Sequence, residues 1–116
     1  PEGGADMLIS TMNDLPGSEV TEVLGEVFGL TVRSRHVGSQ VGAGLKSLVG
    51  GELRGQTKML VESRLQAQQR LEEEATARGA DAVLAMRFDA TEIGGGWQEI
   101  CAYGTAVKTR RLPDRG

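Results

Sequence analysis

The chain has 116 residues, which suits one domain and leaves no room for two. Its net charge of −3, with both signs interspersed, excludes the broad basic field that nucleic acid requires, and no apolar run nears the roughly 20 residues that span a bilayer. Cys101 is the only cysteine, so an intrachain disulfide is excluded and a reducing cytoplasm is the expected location.

Pro1–Asp6 lacks the basic-then-apolar order of a signal sequence and reads as a disordered lead-in or an expression remnant. Residues 7–112 form one domain, of expected radius of gyration about 13 Å if compact. Met7–Thr11 is short, apolar and β-branched, and is expected to form a strand. Asn13, Asp14, Pro16 and Gly17 then turn the chain. Glu19–Ser34 alternates: Val20, Leu24, Phe28, Leu30 and Val32 fall on one side, Thr21, Val23, Gly25, Val27 and Gly29 on the other. The two glycines on the second side point to a bulge or to close approach by another backbone.

Val41, Leu45, Leu48 and Val49 have helical spacing, so a short helix is expected between His36 and Gly50, stopped at Gly50–Gly51. Gln56–Arg78 contains neither Gly nor Pro, is rich in good helix formers, and predicts a long helix. Leu60, Val61, Leu65, Ala67, Leu71 and Ala75 share an arc of about 160°, opposite Glu62, Gln66, Gln69 and Glu73. Arg64 and Gln68 lie inside that arc, at a domain edge or a subunit seam. Glu74 and Arg78 form an i,i+4 pair, and Gly79 ends the helix. Ala80–Ile93 and Trp97–Thr109 are strands joined by Gly94–Gly96 as a hairpin, with Leu84, Met86 and Phe88 expected on one face. Residues 113–116 are a charged tail expected to fray.

This order predicts an α+β fold: a small, mostly antiparallel sheet with one long and one short helix packed on one face. The return strand is apolar on both sides, with Trp97, Cys101, Tyr103 and Val107 opposite Ile100, Ala102 and Ala106. Helices on one face leave the other uncovered. With one Trp, one Tyr, two Phe and seventeen Gly, the core is light. Both features predict a homo-oligomer.

Arg78-Gly79-Ala80-Asp81-Ala82-Val83 and Gly104-Thr105-Ala106-Val107-Lys108-Thr109-Arg110-Arg111, together with Gly25-Glu26-Val27 and Leu48-Val49-Gly50-Gly51, resemble the YbjQ-like family from about Met7 to Leu112. The resemblance implies an α+β subunit packed into a pentameric ring. It also brings a heavy-metal-binding label carried by some members, and no agreed catalytic residues.

The candidate sites follow from residue chemistry. A heavy metal wants several soft ligands, and this chain offers His36 and Cys101, 65 positions apart, with no CxxC, HxxxH or HExxH. Ring symmetry could repeat either residue around an axis and hold a divalent metal. The plainer reading makes His36 a junction residue and Cys101 a small core residue. Arg33, Arg35 and Lys46 surround a glycine-rich stretch and could hold an anion at a helix start, although the stretch lacks the P-loop spacing. Lys108, Arg110 and Arg111 read as a solvated strand end. Trp97, beside the glycine turn, is a ligand anchor or packs on an adjacent subunit. No GxSxG or nucleophile–base pair is evident, and Glu72-Glu73-Glu74 point apart on a helix, so a scaffold or ligand-binding role is expected over an enzyme. Carboxylates brought together across subunits keep general acid–base work open. No cofactor is identifiable, and no nucleic acid or membrane partner is expected.

Overall fold

The computed structural model describes residues 7–34 and 49–113. The element order is β1 (Leu8–Ile9), β2 (Ser18–Ser34), α1 (Val49–Ala77), β3 (Ala82–Gly94) and β4 (Trp97–Arg111). The strands form one sheet in the order β1-β3-β4-β2. β1 runs parallel to β3, and the other pairings are antiparallel. The fold is therefore α+β, with a mixed four-stranded sheet and α1 packed on one face. The short helix expected between His36 and Gly50 lies outside the described residues, save for its end. There the expectation fails: Gly50 and Gly51 do not stop a helix but belong to α1, which also runs through Gly55.

β2 and β4 pair from Ser18 opposite Arg111 to Ser34 opposite Trp97. Two register shifts interrupt the ladder, at Thr21 and at Leu24, and Gly25 follows the second with φ +108°. The bulges reset the alternation of β2. Leu24 packs with the helix-side core, whereas Phe28, Leu30 and Val32 share the opposite face, so the single predicted row is broken. Gly29 meets the other expectation for this strand. A Cβ placed there would lie 2.2 Å from Ala67 O and 2.4 Å from Leu71 N, so helix and strand backbones touch.

α1 buries Ser63, Ala67, Leu71 and Ala75, one residue per turn. Leu60, Val61 and Leu65 are 39%, 51% and 62% exposed, so the predicted apolar arc is too wide by half. Gln66, expected on the solvent side, is half-buried against β2. The reason is the width of the contact: a small-residue line against Gly29 brings the axes close, and little else of the helix surface is covered. The end of α1 follows expectation. Gly79, at φ +81°, donates to Thr76 O at 2.9 Å while Ala80 donates to Ala75 O at 3.0 Å, a Schellman closure. Arg78 and Glu74 pair at 3.0 Å.

The β3–β4 hairpin turns on Gly94–Gly96, all three at positive φ. A register shift lies between Leu84 and Arg87, with Ala85 at φ +54°. Leu84 therefore sits with Ala82, Val107 and Leu15, and Met86 sits in the helix-side core with Phe88 packed against it, not all three on one face as alternation predicts. The N-terminal segment holds this bulge: Ala85 N–H donates to Met12 O at 2.7 Å and Met86 N–H to Ser10 O at 2.9 Å. The same segment covers one end of the free sheet face through Leu15.

The chain is long. Its extents are 60 × 31 × 25 Å and its Cα radius of gyration is 18.2 Å, against the compact value of about 13 Å. The 17 residues of β2, at about 3.3 Å each, account for most of that length. Among the described residues no helix is long and apolar enough to cross a membrane.

Candidate functional site

Among the described strands β2 lies at the edge of the sheet, and α1 lies along it. Residues Phe28, Leu30 and Val32 turn their N–H and C=O groups to the open edge, as the alternation of an antiparallel ladder requires. Side chains of α1 reach these groups. Arg70 Nη1 donates to Leu30 O at 2.6 Å, Arg78 Nη1 to Leu24 O at 3.4 Å, and Phe28 N–H donates to Glu74 Oε1 at 3.5 Å. One residue per helical turn thus dresses the edge with charge and blunts it.

At the far end of β2 this arrangement opens into a cavity of about 430 Å³, lined by Leu30, Thr31, Val32, Arg33, Gln66 and Arg70. Thr31 and Arg33 share the helix-facing side of the strand. Gln66 Oε1 accepts from Thr31 Oγ1 at 2.5 Å and from Arg33 Nη2 at 3.1 Å. Arg33 Nε is buried and has no acceptor among the described residues. An unmade hydrogen bond at a buried charged group is costly, on the order of 1–3 kcal/mol or more.

Of the predicted site residues, Arg33 lines this cavity, while Arg35, His36 and Lys46 lie outside the described residues. Trp97 opens β4 opposite Ser34, at the same end of the sheet but with the parity of the other face, and is 48% exposed. Cys101 lies mid-strand on that other face, half-buried between Leu30 and Asp89. Of the three that are described, Trp97 and Cys101 share one face of the sheet and Arg33 lies on the other. Thr31, Gln66 and Arg70 were not singled out by the sequence. Thr31 interrupts the apolar parity of Val27, which was a usable signal, but the pairing of Gln66 and Arg70 with β2 depends on how α1 is rotated.

The sequence model of the YbjQ family, described as "putative heavy-metal-binding", matches residues 7–110. The chain belongs to the YbjQ family. It is 67% identical to a UPF0145 protein of Acidothermus cellulolyticus over 106 residues, 91% of this chain and 98% of that one. A UPF0145 protein of Streptomyces coelicolor is 70% identical over 105 residues, 90% and 99% of the two chains. In structure the chain is similar to a DUF74-family protein from Pediococcus pentosaceus, with a TM-score of 0.53 over 88% of this chain and 96% of that one. At 16% identity this likeness speaks for the fold alone.

The family description makes a heavy metal the group to test. Among the described residues of this YbjQ chain, no three His, Cys, Asp or Glu side chains converge on a point that could hold a metal ion. Burial pushes the Cys101 thiol above its ordinary range, and the carboxylates of Glu99, Asp89 and Glu26 push it further the same way. A soft metal binds the thiolate, and these surroundings favour the thiol. The described residues of the chain do not fit a heavy metal.

Proposed function

We propose that this YbjQ chain works as one subunit of a homo-oligomeric scaffold or ligand-binding ring, a pentamer by family resemblance, rather than as a catalyst. The observation that carries the reading is the face of the sheet turned away from α1. Phe28, Leu30 and Val32 stand there in a row, 49%, 39% and 50% exposed, beside half-buried Tyr103 and Cys101. Arg87 and Asp89 flank them on β3, so the patch is apolar on one side and carries both charges on the other. Covering the three side chains contributes roughly 1 kcal/mol each at their present exposure. A second copy of the chain is the occupant that a long, lightly filled subunit always has at hand. The alternative, a heavy-metal site shared between subunits, has one observation in its favour: Cys101 lies on the face that assembly would repeat.

Native mass spectrometry at micromolar concentration tests both. The expected result is a multiple of 12.3 kDa, with Val32→Lys shifting the protein towards the single subunit. Lysine at that position pairs across the ladder with Glu99, so the subunit itself keeps its fold. A wild-type protein at 12.3 kDa overturns the ring. Zinc retained by the ring and lost on Cys101→Ser would promote the alternative.

A further inference from the structure

The cavity between β2 and α1 shares the backbone of Leu30 and Val32 with the face just proposed for assembly, but its polar side chains, Thr31, Arg33, Gln66 and Arg70, come from the helix side. Two arginines meet in it, whereas Arg87, which also donates to carbonyls, those of Thr11 and Met86, stands alone on the other face. Arg78 is paired with Glu74, Arg110 with Glu19, and Arg64 lies over the Phe88 ring at 5.2 Å. Arg33 and Arg70 instead make their hydrogen bonds to neutral acceptors, Gln66 Oε1 and Leu30 O, and neither has a carboxylate partner among the described residues. Two guanidinium groups without a carboxylate from those residues therefore line one groove in a chain whose net charge is −3.

We propose that this groove is an anion site, which takes a small molecule by a phosphate or carboxylate group held between Arg33 and Arg70. Both side chains are already placed. Gln66, itself fixed by Thr31 at 2.5 Å, holds the Arg33 guanidinium at 3.1 Å, and the edge carbonyl of Leu30 holds Arg70 at 2.6 Å. Positioned donors lose little freedom on binding, which favours affinity. The buried Nε of Arg33 marks a guanidinium whose hydrogen-bonding capacity the described residues leave unfilled. Val32 adds a backbone N–H on the same open edge by the parity of the ladder. The volume of about 430 Å³ lies in the range of roughly 300–1,000 Å³ that takes small organic ligands, so the anionic group is one end of a larger molecule. The planar fork of arginine matches phosphate and carboxylate oxygens alike, and the shared chemistry is an oxyanion presented edge-on.

The test titrates the ¹⁵N-labelled full chain with inorganic phosphate and, separately, with succinate, against chloride at matched ionic strength. The expected result is a saturable movement of the Arg33 and Arg70 Nε–H signals and of the Val32 amide, and the tighter of the two anions identifies the group. Arg33→Gln and Arg70→Gln should each weaken binding about tenfold or more, the loss of a charge-assisted contact. Arg111→Gln, at the exposed end of β4, should leave it unchanged. No saturable movement with either anion overturns the site, as do Arg33 and Arg70 variants that titrate like wild type. The wild-type titration decides the matter even if a variant fails to fold. Light scattering on the same samples reads the oligomeric state separately, so failure of the ring and failure of the site are told apart.

Discussion

Single atoms decide the chemistry of two positions. At Gly29 a methyl group would meet the helix backbone at 2.2 and 2.4 Å, and backbone cannot yield locally. Gly29→Ala should therefore destabilise the chain by roughly 1–3 kcal/mol or more, as overpacking does. Gly55 is its converse: it sits within α1, and an added methyl would meet nothing within 4 Å, so Gly55→Ala should stabilise by up to about 1 kcal/mol. Urea melts of the two variants with opposite shifts of the midpoint are the expected outcome. At Cys101, burial comes first and Glu99 second in holding the thiol above its ordinary value of 9.0. The folded state thus keeps the proton more tightly than the unfolded one. Its contribution to stability is intact below the ordinary thiol range and is lost as pH rises through 9 towards the folded value. Alkylation at pH 8 should be slower than for a free thiol, and Glu99→Gln should speed it.

Among the elements, α1 is where pattern and packing part company. An arc of Leu and Val side chains promises a broad apolar face, yet the sheet accepts only the narrow line of Ser63, Ala67, Leu71 and Ala75. Leu71→Ala should cost roughly 2–5 kcal/mol, because Leu71 is wholly buried. Leu65→Ala should cost less than about 0.5 kcal/mol in the single chain, as at exposed positions generally. Thermal melts of both variants at low protein concentration check this contrast. The strands, the glycine hairpin and the Gly79 stop were legible in the sequence because each rests on a local rule. The rotation of α1 was not, since it follows from the missing side chain at Gly29 rather than from the helix's own periodicity. For the same reason Arg33 was legible as a candidate cation while Gln66 and Arg70, its neighbours in the groove, were hidden. The bulges at Leu24 and Ala85 escaped a strict count of two, and each moved a leucine to the face opposite its predicted companions.

At the scale of the molecule, β4 is the last element in chain order and also lies in the interior of the sheet, between β3 and β2. During synthesis β2 and α1 emerge from the ribosome long before the strand that joins them to β3 exists. A 17-residue segment rich in β-branched side chains must then wait, unladdered, while nearly the whole domain is translated. Such distant closure folds slowly, and an unpaired strand of that length invites intermolecular pairing in the interval. The nascent chain is thus most exposed to aggregation, and most in need of a chaperone, up to the moment β4 clears the exit tunnel.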